Sequence, residues 1–533
     1  MGFAACNADP EPGGISLVPH CADAGGNATC VSNYPNRPWC SLCADQAVNQ
    51  GCVQNEPVPQ CSPGGGIFPD TTSADSGVDP STTSGSTDDG SATVSVDETT
   101  IALDDTGSTG DFSCEGSGYD VACADRDGTA PYCDEGTCVS CMDAGGDQYC
   151  NAIGDETPAC DTARGLCVAC DGVMRSVCTG QSPICGATGA CEACTEHEQC
   201  PDTACHLSPN DSLVGACFET SEVIWVDSTA VCPGMGTQAS PSCSLQGTLS
   251  GLGPGDVHVI KLVHNGTPIT QQVTASGDIT VAIVGQNGVP TFSGNPGSPG
   301  GAFVAGGSSL LYLHRLRFND NPLSHGISCS GSEVWLTGSE IADNAGWGIF
   351  DTGPCTLNLR RSTLHHNTLG GVRVVGGALT LDNAAVAING NGSAGPAVEL
   401  QFGTLKFLYS TIVGNDGVSS DSLTCNQATG EIRNSIVQGV DPFSISLDCF
   451  MLDMEYNALD NSNFANGTNQ QVPLYNEVQF VDPDAGDFRL QAPPLSPYGD
   501  TALWVEGDPI FDADGSERPL DGSLGYAGID EPG

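Results

Sequence analysis

From Ile224 onward the chain runs in short alternations of Val, Ile and Leu with polar residues, punctuated by Gly and Asn. Apolar residues at every second position mark half-buried strands, and no stretch keeps the spacing of a helix face. A longer interval overlies the alternation. Asn321, Asn344, Asn367, Asn391 and Asn415 lie 23, 23, 24 and 24 residues apart. Three positions before each stand Phe318, Ile341, Leu364, Ile388 and Ile412, and one further period reaches Ile436. Ten positions before each are Leu311, Val334, Leu357, Leu381 and Leu405; eight before are Leu313, Leu336, Leu359, Asn383 and Phe407, one of them polar. Columns at this period predict a mainly β solenoid, a parallel β-helix with a turn about every seven or eight residues. Strands stacked about 4.8 Å apart would let the Asn amides bond from rung to rung.

The cysteines test that register. Cys425 and Cys449 are 24 residues apart and Cys329 and Cys355 are 26 apart, each close to one period. Stacked positions about 5 Å apart fall within reach of a disulfide. With Cys232 and Cys243 they form three local pairs. Upstream the cysteines themselves repeat. Sixteen lie between Cys114 and Cys217 in units of four, and six more run from Cys21 to Cys61. Small units with so little aliphatic core hold together by disulfides when exported. The CxxC steps between units also have the spacing of a zinc ribbon, but the other signs of export favour bridges. The twenty-ninth cysteine, Cys6, follows Ala4 and Ala5 in MGFAAC. That string resembles the tail of a bacterial lipobox, which would make Cys6 a lipidated first residue; the alternative is a stray cysteine in a ragged terminus.

Charge then narrows the partners. Against 65 acidic residues stand 14 basic ones, a formal charge of −51. Such a surface repels phosphate backbones and anionic headgroups, so no nucleic-acid partner is expected, and membrane contact only through a lipid at Cys6. No run of eighteen apolar residues is present to form a spanning helix. Residues 62–113 carry ten acids, no base and little that is apolar, the composition of a disordered linker. The expected organisation is a cysteine-rich module at 1–61, that linker, cysteine-rich repeats at 114–221, the β-helix at 222–490 and its C-terminal cap at 491–533.

Taken together, the rungs, the opening IWVDSTAVCPGMGTQASPSCSLQGTLSGLGPGD and the closing VDPDAGDFRLQAPPLSP and FDADGSERPLDGSLGYAGIDEP resemble the right-handed parallel β-helix proteins of the pectate-lyase-like superfamily. The likeness spans about residues 222–533. More loosely, the cysteine repeats resemble those that precede such domains in myxobacterial surface proteins. The superfamily includes polysaccharide lyases and hydrolases, but also adhesins and surface proteins without activity, so fold alone leaves function undecided.

One constellation fits catalysis. Asp320, Asp343 and His366 stand one position before the Asn column, on successive rungs. Carboxylates one rung apart lie about 5 Å from each other, which suits a retaining glycosidase pair or a calcium site. Six positions before the column, or its extension, are Arg315, Arg361, Tyr409 and Arg433, a ladder suited to sugar binding, with Arg361 as a lyase base. Against this, the NTD, GHG and RIK strings of the pectinolytic hydrolases and the Arg-x-Pro-x-x-Arg string of the lyases are absent. Polar residues beside a turn Asn are also what a solvated turn contains. His365 and His366 would face opposite ways on a strand and could not easily share a metal, and a turn is the favoured reading. Asp512, Asp514 and Gly515 open like a calcium loop but lack its later acids. The sequence therefore favours an exported, surface-displayed bacterial protein, without cofactor unless calcium, that binds a polysaccharide or another surface protein. A lyase or hydrolase acting through Asp320, Asp343 and Arg361 is the alternative.

Overall fold

The computed structural model describes most of residues 118–532 and, before them, the antiparallel pair Trp39–Cys40 and Cys52–Val53. Cys6 and the linker 62–113 lie outside the described residues. The chain divides into two compact units, Met1–Gly107 and Ser108–Gly533. The second holds the later disulfide repeats, the solenoid and the C-terminal segment.

The alternating segments form a parallel solenoid with three sheets of ten, eight and ten strands. A typical rung runs from Leu310–His314 in sheet A to Arg317–Asn319 in sheet B and Ile327–Ser330 in sheet C. The next begins at Glu333–Thr337, again in sheet A. Because side chains alternate, each strand sends one set inward. Sheet A stacks Leu311, Val334, Leu357, Leu379 and Leu405, and beside them Leu313, Leu336, Leu359, Leu381 and Phe407. Sheet B adds Phe318, Ile341, Leu364, Val386, Ile412 and Val437. Sheet C adds Phe303, Ile327, Ile349, Val372, Val398 and Leu423. All are buried, and burying each such side chain stabilises the fold by roughly 1.5–3 kcal/mol. At the N-terminal end the helix Leu245–Ser250, capped by Ser244, packs Leu245 and Leu249 against this core.

One rung departs from the expected register. The ladder runs Asn321, Asn344, Asn367, Asn389, Asn415, with Asn389 in the place expected for Asn391. Asn367 Nδ2 donates to Asn389 Oδ1 at 2.9 Å across 22 residues, and Asn389 Nδ2 to Asn415 Oδ1 at 3.2 Å across 26. Leu379, Leu381 and Val386 therefore fill the columns instead of Leu381, Asn383 and Ile388, and the polar exception disappears. Asn383 and Ile388 instead make the corners, at φ of 50° and 51°. One rung later Val437, not Ile436, stacks on Ile412.

The disulfide repeats have a definite connectivity. Cys141 bonds Cys160 while Cys150 bonds Cys167; Cys170 bonds Cys185 while Cys178 bonds Cys191; Cys194 bonds Cys205 while Cys200 bonds Cys217. In each unit the first cysteine joins the third and the second joins the fourth. The third and fourth face each other across a short antiparallel pairing, as Cys160 does with Cys167. Cys123–Cys138 closes part of the preceding unit. Each CxxC step from Cys138 onward is thus a seam between units rather than a metal-binding knuckle. In the solenoid, Cys425 and Cys449 stack with Cα atoms 4.8 Å apart, Cys329 bonds Cys355 and Cys232 bonds Cys243. Ten disulfides between described residues belong to an oxidising compartment outside the cytosol.

Two solenoid faces are covered by the chain itself. The last disulfide unit lies on the early strands of sheet A. Lys261 Nζ donates to Thr203 O at 2.6 Å, and Tyr312 Oη both accepts from Ser208 N and donates to Asp211, each at 3.3 Å. At this junction the His197 and His314 rings lie 5.0 Å apart, both buried. The C-terminal segment lies along the outside of sheet B. Phe480, Phe488 and Tyr498 pack on Ala385, Val413, Ile436 and Ala458. Asn383 and Asn434 donate side-chain hydrogen bonds to the Phe511 and Leu503 carbonyls.

Three outcomes follow from this packing. Ile341→Asp should abolish cooperative unfolding of the solenoid, because it buries a charge inside a column. Asn389→Ala should cost about 1–3 kcal/mol in denaturant melts, whereas Asn391→Ala leaves the ladder intact. The third concerns pH. Burial depresses both histidines, His197 well below its usual value, with His314 as its largest charged neighbour, and His314 to about 4. Lys261, Arg315, Arg360 and Arg361 face the pair and oppose a charge there, while Glu198 favours one on His314. A neutral folded histidine gives full stability above the unfolded value of about 6.5. That stability is lost as pH falls towards 4. Melting temperature measured from pH 7 to 4 should fall more steeply in the wild type than in a His197→Gln/His314→Gln double variant; parallel slopes would remove the histidines from the account.

Candidate functional site

Asp320, Asp343 and His366 are corner residues between sheets B and C. Their φ angles are 54°, 56° and 54°, and the column continues through Ile388 at 51° and Gly414 at 67°. What the position demands is the left-handed backbone, which Asp tolerates better than most residues and Gly best. Carboxylate, imidazole, alkyl and no side chain at all occupy it in turn. Asp320 and Asp343 are exposed. The corner between sheets A and B repeats the pattern with Arg315, Gly338, Arg361, Asn383, Tyr409 and Asn434, all at positive φ. Arg433 is therefore not in the Arg315 column; it stacks on Leu408 one position earlier.

The two columns stand at opposite ends of sheet B strands only three residues long, such as Glu340–Ala342. No hydrogen bond or ion pair among the described residues joins Asp343 to Arg361. Arg361 instead donates to Glu196 Oε2 at 2.6 Å, with Glu198 at 3.7 Å. Arg433 pairs with Asp508, and Tyr409 is buried beneath the Arg518 guanidinium at 3.7 Å. Arg315 remains exposed. Sequence reasoning found these arginines but not the acids that hold them, because the partners come from distant segments.

The adjacent histidines do meet. A left-handed turn at His366, rather than a continuing strand, brings the two Nδ1 atoms to 2.7 Å. His365 Nε2 lies 3.4 Å from Glu340, which also binds Arg317. Burial and the neighbouring ring lower the His366 pKa. At the C-terminus, Asp512, Asp514 and Asp530 bring carboxylate oxygens within 4.8 Å of one another. The two Asp512 oxygens accept from three backbone N–H groups, those of Asp514, Ser516 and Glu531. Asp530 accepts from Leu490 N at 2.7 Å. These bonds brace the turn, and a calcium ion would compete with them for the same oxygens.

Two surfaces went unread in the sequence. Some outward residues of sheets A and B lie beneath the chain, as Tyr312, Thr411 and Ile436 do at 0 % exposure, while others, such as Arg317 and Lys406, stay exposed, and Glu431 partly so. On sheet C a column runs from the buried Ser328 through Phe350, Arg373, Glu399 and Thr424, each stacked on the next, and from Phe350 onward it is partly exposed. His325 lies flat on Phe350 at 4.4 Å and 8°, the Arg373 guanidinium sits 5.4 Å from the Phe350 ring centre, and its Nε is 3.2 Å from Glu399. Burial takes the His325 pKa down to about 4, so the ring meets Phe350 as a neutral plate. A signal existed, since Phe350 and Arg373 each stand six positions after a ladder asparagine. The second surface is a cleft of about 480 Å³ between Glu196, the corner residues Arg360, Arg361 and Asp382, and the loop Gly507–Gly515.

With that geometry in place, comparisons with known proteins add the following. Residues 104–223 match a family described as a family of unknown function, DUF8331. No curated protein shows significant similarity to the chain. Among solved structures, one titled crystal structure of pectate lyase Pel9A is similar at 14 % identity over 58 % of this chain and 96 % of that one, with a TM-score of 0.35.

Proposed function

We propose that this chain is an exported bacterial display protein, a rigid solenoid that binds a polysaccharide without cleaving it. The observation that carries the reading is the partly exposed face of sheet C. An aromatic ring, a cation and an anion one rung apart offer a sugar chain what it needs: an apolar plate for C–H groups, then donors and acceptors for hydroxyls. A parallel sheet repeats such positions along a straight line, which suits a linear polymer better than a compact ligand. Arg373 at 32 % and Glu399 at 21 % side-chain exposure are held but reachable. The formal charge of −51 favours a neutral polymer over an acidic one. Attachment through a lipid on Cys6 belongs to the same proposal, as does another surface protein in place of the glycan. The hydrolase or lyase reading through Asp320, Asp343 and Arg361 has less support, since Arg361 is already engaged by Glu196.

A glycan array probed with the full chain is the direct test. Phe350→Ala or Arg373→Ala should weaken retention on the bound glycan by roughly tenfold. Asp343→Asn should change stability by no more than about 0.5 kcal/mol and leave binding intact. Turnover of any polysaccharide, lost by about 10²-fold in Asp343→Asn, would replace the binding reading with the enzymatic one.

A further inference from the structure

The 480 Å³ cleft is built by three parts of the chain that are far apart in sequence: the last disulfide unit, a corner of sheet A and the C-terminal segment. Most of its charged groups are already held. Arg360 Nη1 donates to Thr195 O at 2.7 Å, its Nε lies 3.2 Å from Asp382, and Arg361 is bound to Glu196. Asp508 is held by Arg433 and Asn434, and Asp512 by backbone N–H groups. Carboxylates outnumber guanidiniums in the lining four to two, so the wall is mildly acidic and disfavours an anion. The wall still presents planar guanidinium and carboxylate groups that are only partly buried: 23 % of Arg360, 22 % of Arg361, 24 % of Glu196 and 21 % of Asp382. Opposite them stand exposed apolar side chains, Ile510 at 44 % and Phe511 at 50 %. Exposing two large hydrophobic residues side by side is costly in water unless something covers them. Phe511 is also fixed in place. Its carbonyl accepts from Asn383 Nδ2 at 2.8 Å, and its backbone bridges to Glu517.

We propose that this cleft binds a neutral pyranose ring, with its C–H face on Phe511 and its hydroxyls on the Arg360–Asp382 and Arg361–Glu196 pairs. Paired donors and acceptors facing a fixed apolar plate suit a ligand that is polyhydroxylated, uncharged and amphipathic. The volume takes one or two rings, so the site reads a terminus or a short branch rather than a long chain. It shares a ligand class with the sheet C reading but none of its residues, and the two stand or fall separately.

Saturation-transfer NMR on the full chain tests it, using methyl glycosides of glucose, galactose, mannose and xylose, with galacturonate and spermidine as charged probes. At least one neutral glycoside should receive transfer. Phe511→Ala should weaken that binding by roughly tenfold, a loss of about 1.4 kcal/mol, and Asp382→Asn should also weaken it. Phe350→Ala should leave it unchanged. Because Asp382→Asn disturbs the Arg360 contact and so threatens the docked unit, the half-exposed Phe511 is the deciding position. Transfer to no neutral glycoside, equal transfer in wild type and Phe511→Ala, or a preference for galacturonate or spermidine would overturn the proposal.

Discussion

Five successive rungs, from Asn321 to Asn415, turn from sheet B into sheet C by placing one residue at positive φ and burying the asparagine that follows it. The buried amide then does two things. Asn344 Nδ2 donates to the Phe318 carbonyl at 3.1 Å and to Asn367 Oδ1 at 2.8 Å, while its own Oδ1 accepts from the backbone and side chain of Asn321. A corner that would otherwise leave backbone groups unpaired inside the protein is satisfied by the rung next to it. Serines do similar work at the other corner of sheet B, where Ser339 N donates to Ser362 Oγ and Ser410 N to Ser435 Oγ. The strands can be short because the corners are fixed. Everything that sits on the outside, from the disulfide unit to the C-terminal segment, rests on walls those corners hold straight.

The columns were legible because a solenoid writes its core into the sequence once per turn. The slips, at Asn391 and at Ile436, arose because the rungs are unequal: steps of 22 and 26 residues flank Asn389, and 25 separate Ile412 from Val437. Asn383 in an otherwise apolar column was the visible sign of the first. A fixed interval carries no information about where an insertion falls; only the hydrogen-bonding partner of Asn367 decides that. The cysteine units were legible as units, but which cysteine joins which depends on the short strand pairings that bring the third and fourth together.

The chemistry was harder to read, for a related reason. Asp320, Asp343 and His366 align at a position where the backbone needs a left-handed residue, and that demand accounts for the alignment whatever chemistry the side chains carry. The groups that decide what Arg361, Asn383 and Arg433 do are Glu196, Arg518 and Asp508, which lie 165, 135 and 75 residues away. No period links them. Sheet C differs because its partners are its own neighbours one rung on, so a reader who followed the outward positions after each asparagine would have met Phe350 and Arg373.

In the disulfide repeats, the first cysteine joins the third and the second joins the fourth, so every bridge closes inside its own unit and two residues separate one unit from the next. No disulfide spans a seam among the described units. A gene encoding such an array can therefore gain or lose one whole unit without leaving a thiol unmated or forcing any other pair to exchange. The number of units is thus free to drift between generations, while the last unit, bound to sheet A through Lys261 and Tyr312, is not.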